Sequence, residues 1–253
     1  MSLLAVLLLA QAVGDDPSAA QMQFDAGLEH FRSGRYHQAI EPFANAIKLR
    51  QDWAAAHRAL GAVHAAMGNY NLAEAPFQCA CQLDPKDADA CYYLGRALYA
   101  LNRFEDSLEA LAIALKTRDK PGRIYQGMGQ AQEALGRHTQ AEQSLRKAVE
   151  LGWPEARTIY GVFLFRQGRL DDAQVMFEQA VKAQPNSPQA RMELGRTLLQ
   201  RNRLEEALVH LQRAVELNTS SGAAHLLLGK AYQRLGRTAE AERHLTQGSL
   251  TSK

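Results

Sequence analysis

Seven glycines set the frame of this 253-residue chain. Gly27, Gly61, Gly95 and Gly129 follow one another at intervals of 34 residues, and after one step of 32 the interval resumes through Gly161, Gly195 and Gly229. Against a background of about 7% glycine, a register of this length does not arise by chance. A chain that repeats itself at such a period is a row of small units, each leaning on the next, rather than one closed core. Glycine inside a helix is about 1 kcal/mol worse than alanine. Its return in every unit predicts a place where a second helix approaches too closely for a Cβ.

A second series lies seven positions later: Gly34, Gly68, Asn102, Gly136, Gly168, Asn202 and Gly236. Only glycine and asparagine occur there, the two residues that readily take the left-handed conformation that ends a helix. Each marks a turn between a first helix (A) and a second (B). In helix B a small residue recurs at Ala39, Ala73, Ser107, Ala141, Ala173, Ala207 and Ala241. Four positions on comes a large apolar one: Phe43, Phe77, Leu111, Leu145, Phe177, Leu211 and Leu245. Such a pair shares a helix face. A third small series (Ala46, Ala80, Ala114, Ala148, Ala180, Ala214, Gly248) completes a buried stripe. Pro85 and Pro185 close helices before the next unit, and Pro121-Gly122 and Ser220-Ser221-Gly222 read as loop punctuation. The step of 32 is assigned to a shortened loop around Leu151-Gly152-Trp153-Pro154, with Trp153 a candidate plug over the joint.

One unit, read in full, resembles the tetratricopeptide repeat, whose signature runs W-x2-L-G-x2-Y, A-x3-F, P. The corresponding residues are His57, Leu60, Gly61 and His64, then Ala73 and Phe77, then Pro85. The resemblance covers residues 20–249 and implies an all-α, right-handed α-solenoid of seven antiparallel helix pairs. The repeats fall at about 20–53, 54–87, 88–121, 122–153, 154–187, 188–221 and 222–253. On that coverage no second, catalytic domain is expected.

Residues 1–14 carry an apolar run, Leu3 to Ala10, followed by Ala10-Gln11-Ala12. This is the pattern of a secretory leader cleaved after Ala12 or Gly14, the alternative being an apolar helix that caps the first repeat. Residues 15–19 form a short polar lead-in. The run falls far short of the roughly 20 residues a membrane span needs, so stable membrane insertion is not expected. A net charge of +2 and a pI of about 8.4 favour neither nucleic acid nor an anionic membrane. Cys79, Cys81 and Cys91 are odd in number and lack metal-ligand spacing. They read as small hydrophobes, a Cys81–Cys91 bridge staying open for an exported chain.

No catalytic signature, metal set or cofactor loop emerges. His57 and His64 share a helix face at signature positions normally filled by packing residues, and the fragment Gly127-Met128-Gly129 lies inside a helix A. The chain is therefore expected to be a non-catalytic protein-interaction scaffold without cofactor.

In the family it resembles, A helices line a concave groove. Carried over place by place, the groove receives Arg58 from the second repeat and Asp89, Tyr92, Arg96 and Tyr99 from the third. The fourth supplies Arg123, Gln126, Gln130 and Glu133, the fifth Phe165 and Arg166, and the last two Met192, Arg196, Leu199, Lys230, Gln233 and Arg234. Arginine and tyrosine are enriched where proteins meet proteins. The stripe Tyr92, Arg96, Tyr99 is thus the leading candidate site. The clamp of lysines and asparagines that some members use is absent here, where Phe24, Leu28, Arg58 and Ala62 stand. The expected partners are peptides or helices mixing apolar and acidic residues. Self-association through the polar last helix is a competing use of that end. An exported adaptor in a bacterial cell-envelope complex, periplasmic or secreted, is the first reading. A cytoplasmic adaptor or co-chaperone, or a helper of a glycosyltransferase or protease system, is the alternative.

Overall fold

The computed structural model describes residues 17–117 and 119–251, and among these it contains fourteen α-helices and no strand. The leader assigned to residues 1–14 lies outside the described residues. The chain divides into two compact units, residues 1–138 and 139–253. The first unit holds α1 (Pro17–Arg32), α2 (Tyr36–Leu49), α3 (Ala54–Ala66), α4 (Tyr70–Leu83), α5 (Ala88–Ala100), α6 (Phe104–Lys116) and α7 (Pro121–Ala134). From Thr139 onward the second holds α8 (His138–Glu150), α9 (Ala156–Arg166), α10 (Leu170–Ala183), α11 (Pro188–Gln200), α12 (Leu204–Leu217), α13 (Gly222–Arg234) and α14 (Thr238–Thr251).

All seven residues of the turn series are left-handed, from φ 60° at Asn102 to 77° at Gly68. In each turn the amide of the residue after the left-handed one reaches back to a carbonyl five positions earlier, as in Arg35 N to His30 O (2.9 Å) and Arg203 N to Leu198 O (2.9 Å). This bond satisfies an orphan carbonyl and reverses the chain in three residues. Within each unit the helices it joins are consequently antiparallel hairpins.

The signature glycines do what the period predicts. A Cβ at Gly61 would stand 2.7 Å from the Phe77 ring, at Gly161 2.6 Å from Phe177, and at Gly195 2.5 Å from Leu211. Phe43, Phe77, Leu111, Phe177, Leu211 and Leu245 therefore each sit in the glycine notch of their own hairpin. Phe77 also meets the next hairpin, its ring centroid 5.7 Å from that of Tyr93. The small helix-B series is buried throughout, with Ala39, Ala73, Ala141, Ala173 and Ala207 at 0% exposure. Ser107 replaces alanine in the third repeat and is equally buried, its hydroxyl donating to the Gly95 carbonyl at 2.7 Å.

Four local expectations are corrected. Pro121 and Gly122 open α7 rather than a loop, since proline is favoured at the first helical position, where its missing N–H costs nothing. Gly222 likewise opens α13, with Ser221 capping it by accepting from Ala224 N at 3.3 Å. The two residues missing from the fourth interval, Gly129 to Gly161, come out of α9, which has 11 residues against 13 in α3, α5, α11 and α13, while the connection before it is not shortened. Finally, residues 17–19, assigned to the lead-in, already belong to α1.

The sequence reading also missed a ladder of arginines just after the left-handed residues. Arg103, Arg169, Arg203 and Arg237 each pair with an acid three positions on: Asp106 (2.6 Å), Asp172 (2.8 Å), Glu206 (2.5 Å) and Glu240 (2.7 Å). Arg103, Arg137 and Arg169 also reach back to the preceding repeat, at Glu74 (2.5 Å), Glu105 (2.5 Å) and Glu142 (2.8 Å). The arginine side chains are 40–49% exposed, so screening by water leaves each pair little net stabilisation. Their regularity fixes hairpin spacing more than it stabilises. A disulfide joins Cys81 near the end of α4 to Cys91 in α5, and Cys79 keeps a free thiol.

Candidate functional site

Within each unit the A helices touch their successors, α1 with α3, α3 with α5 and α5 with α7, then α9 with α11 and α11 with α13. No such contact joins successive B helices among the described residues. A stack whose A layer is the tighter one curves toward that layer, so the A helices line the inner face of each unit. Side chains pointing off these helices converge there.

In the first unit the convergence is on Asp89, in the first turn of α5. Asp87, the residue capping α5, accepts from Asp89 N at 2.9 Å and Ala90 N at 3.3 Å. The cap fixes where the two carboxylates stand. Arg58 of α3 lies 2.9 Å from Asp87 Oδ2 and 3.9 Å from Asp89 Oδ2. Arg123 of α7 pairs directly with Asp89, and Lys120, the residue before α7, places its Nζ 3.9 Å away. Burial pushes the Asp89 carboxyl up, but the Arg123 hydrogen bond and charge, with Lys120 and Arg58, outweigh it and hold Asp89 below its ordinary range. Arg123 is buried and lies over the Tyr92 ring at 4.1 Å, with Tyr93 at 5.8 Å. Arg96 donates to the Tyr92 hydroxyl at 3.2 Å.

Beside this cluster is an apolar pocket of about 280 Å³, whose walls include Phe24, Leu28, Phe31, Ala62 and Tyr93 and whose edge is Arg58.

In the second unit a groove of about 610 Å³ runs between α11 and α13, over Leu199 and Leu227 and between Arg196, Gln200, Lys230 and Arg234. The Arg196 guanidinium lies 4.2 Å above the Phe165 ring and 3.0 Å from Glu193 Oε2. Glu193 is 5% exposed, and burial raises its pKa against the pull of Arg196, Arg166 and a hydrogen bond from Gln189. Arg234 donates to the Leu199 carbonyl (2.6 Å) and to Asn202 Oδ1 (2.8 Å), both neutral acceptors. Lys230 is exposed and makes no ion pair with the described residues. The groove thus has an apolar floor and a net positive rim.

The residues expected from the sequence do not gather at one site. Arg58, Tyr92, Arg96 and Arg123 come together around Asp89, and Arg196, Lys230 and Arg234 line the second groove. Others are committed to packing: Tyr92 is itself 7% exposed, Tyr99 rests on Phe104 at 5.4 Å, Gln126 is buried, and Met192 packs on the core of the second unit. Of the stripe Tyr92, Arg96, Tyr99, only Arg96 is exposed. Gln130 is half-buried on α7, and Arg166 is exposed at the end of α9, near enough to Glu193 to act on its charge. Lys120, Tyr93 and Glu193 were missed. Tyr93 and Glu193 stand one place beyond the expected groove positions, and Lys120 belongs to a connection. For Lys120 the signal would have been its place next to Pro121, the start of a helix.

His57 donates through Nε2 to the Gln51 carbonyl at 2.9 Å, and burial lowers the His64 pKa. Among the described residues no three His, Cys, Asp or Glu side chains converge as a metal set would, and no helix is long and apolar enough to cross a membrane.

No curated protein matches this sequence. Solved structures do. A chain of the APC/C hetero-tetramer Cut9–Hcn1 superposes with a TM-score of 0.73 at 16% identity, over 89% of this chain and 45% of that one. This chain therefore spans less than half the length of that relative. PilF of Pseudomonas aeruginosa gives a TM-score of 0.66 at 19% identity, over 87% of this chain and 98% of its own. A thermophilic TPR protein of Thermus thermophilus gives 0.60 at 24% identity, over 72% of this chain and 100% of its own. These likenesses are of fold. Models described as tetratricopeptide repeat match residues 92–156, 161–221 and 198–252, and one described as TPR repeat matches 27–68. With hairpin, glycine notch and left-handed turn recurring at that period, the chain belongs to the tetratricopeptide-repeat family.

Proposed function

We propose that this protein is a non-catalytic scaffold that holds a partner's extended or helical segment, mixed acidic and apolar, against its A-helix faces. The observation that carries this reading is the groove of the second unit. Leu199 and Leu227 offer apolar area while Lys230 and Arg234 keep charges that no carboxylate of the described residues neutralises. Such a rim selects acidic partners and speeds their encounter, and the apolar floor retains them. Crosslinking mass spectrometry on the intact protein in cells is expected to map partner contacts to α11 and α13. Lys230→Glu should reduce capture of those partners at least several-fold. Unchanged capture by Lys230→Glu combined with Arg196→Glu would refute the reading.

The setting we propose is a cell-envelope complex, outside the cytoplasm. The apolar run Leu3–Ala10 followed by Ala-Gln-Ala supports it. So does the Cys81–Cys91 bond, since disulfides persist in oxidising compartments and are rare in the cytosol. Sequencing the N-terminus of the protein recovered from cells tests this: a mature chain starting after Ala12 or Gly14 is expected, and an intact Met1 would overturn it.

A further inference from the structure

The geometry points to a two-point recognition site on the first unit: a partner segment places one large apolar side chain in the pocket between α1 and α3, and a neighbouring carboxylate on the cations around Asp89. This rests on the reading that A-helix faces carry the partners, and adds the chemistry that this face selects. The pocket's 280 Å³ equals about nine waters at roughly 30 Å³ each, room for one aromatic or leucine-sized side chain. Its walls are Phe24, Leu28 and Phe31 of α1, Ala55 and Ala62 of α3 and Tyr93 of α5, with Arg58 as the charged boundary.

Arg58 ties the two points together, because the same side chain borders the pocket and reaches the Asp87 and Asp89 carboxylates. Lys120 stands 3.9 Å from both Asp89 and Asp119, and its side chain is half-exposed. Arg96 is exposed and bonded to the neutral Tyr92 hydroxyl, which leaves its charge uncompensated. Arg123, paired with Asp89 and laid over Tyr92, holds Asp89 in place at the centre. Four cations, Arg58, Arg96, Lys120 and Arg123, thus stand among three carboxylates, Asp87, Asp89 and Asp119, so an arriving carboxylate balances the excess positive charge, whereas a basic residue adds to it. The site therefore fits an apolar residue flanked by aspartate or glutamate.

The test is selection from a random dodecapeptide display library on the full chain, followed by fluorescence anisotropy of the enriched peptides. Enriched peptides are expected to pair Phe, Trp, Leu or Ile with an adjacent acid. Ala55→Trp, which fills the pocket from the first turn of α3, and Arg58→Glu should each weaken binding at least tenfold, and Lys120→Glu several-fold. Replacing the peptide's apolar residue with alanine or its acid with the amide should do the same. Circular dichroism checks the fold; if Ala55→Trp loses helicity, the variants of the partly exposed Arg58 and the exposed Lys120 carry the test. Peptides lacking either feature, no enrichment, or affinities indifferent to Arg58→Glu and Lys120→Glu would overturn the site. Peptides that respond to Lys230→Glu but not to these variants would overturn it while leaving the broader scaffold reading intact.

Discussion

Gly95→Ala isolates the contact on which each hairpin depends. A Cβ at Gly95 would lie 2.7 Å from Leu111 Cγ, 3.0 Å from Leu111 Cδ2 and 3.2 Å from the Ser107 carbonyl oxygen. Carbon atoms rest about 3.5–4.0 Å apart, so the overlap with Leu111 is roughly 1 Å. Leu111 is 1% exposed and cannot swing away. Forcing such a methyl into a packed core costs about 1–3 kcal/mol, and alanine's better helix propensity returns about 1 kcal/mol. Any shift of α5 also strains the 2.7 Å bond from the Ser107 hydroxyl to the Gly95 carbonyl. The expected net loss is about 1–2 kcal/mol. Gly127→Ala is the internal control, because its Cβ would sit 3.3 Å from Cδ1 of the same leucine, a contact a small adjustment relieves. Its expected effect is between zero and about 1 kcal/mol of stabilisation.

The decisive measurement is a double-mutant cycle by urea unfolding, followed by far-UV circular dichroism with slopes compared across variants. Leu111→Ala alone should cost about 2–5 kcal/mol. In that background Gly95→Ala should become neutral or favourable, giving a coupling of about 1–3 kcal/mol. An equal cost of Gly95→Ala in both backgrounds would show that the glycine is not kept for the notch.

Two further outcomes follow from local chemistry. Alkylation of the unfolded, unreduced protein should label one cysteine, Cys79, and reduction should lower stability by roughly 3 kcal/mol, the loop-entropy value for a short closed loop; three labelled thiols would contradict the bond. His244 donates to or accepts from His225 across 3.0 Å between their Nδ1 atoms. Burial, with the charges of His225 and Arg243, lowers the His244 pKa below its ordinary 6.5. The unfolded chain then takes up this proton first, so stability is full above about pH 6.5 and falls as pH drops through that value toward the folded pKa. Thermal unfolding from pH 7.5 down to about 5.5 should show the loss, and His244→Phe should flatten the slope relative to the parent; an unchanged slope refutes it.

What could be read without coordinates was whatever one residue decides locally. A left-handed turn excludes nearly everything but glycine and asparagine, so Gly34 through Gly236 located every hairpin reversal. A proline read alone is ambiguous, since it both ends helices and starts them, and Pro121 was assigned the wrong way. A two-residue deletion preserves the phase downstream wherever it falls. Counting therefore placed it in the loop before α9, when it shortened α9 itself. The ion pairs of Arg103 with Glu74 and of Arg123 with Asp89 join residues 29 and 34 positions apart, and only the stacking of one hairpin on the next makes them neighbours.

The repeat period, the hairpin unit and the buried stripe were determined by the sequence itself, because steric rules for φ, helix propensity and apolar periodicity act within a few residues. Which of the inner-face residues remain available to a partner was decided by tertiary structure. Tyr92 and Arg96 share one helical stripe in α5, yet Tyr92 is sealed beneath Arg123 of α7 while Arg96 stays exposed. Burial of a side chain depends on what the neighbouring hairpin lays over it, and that neighbour lies a full repeat away along the chain.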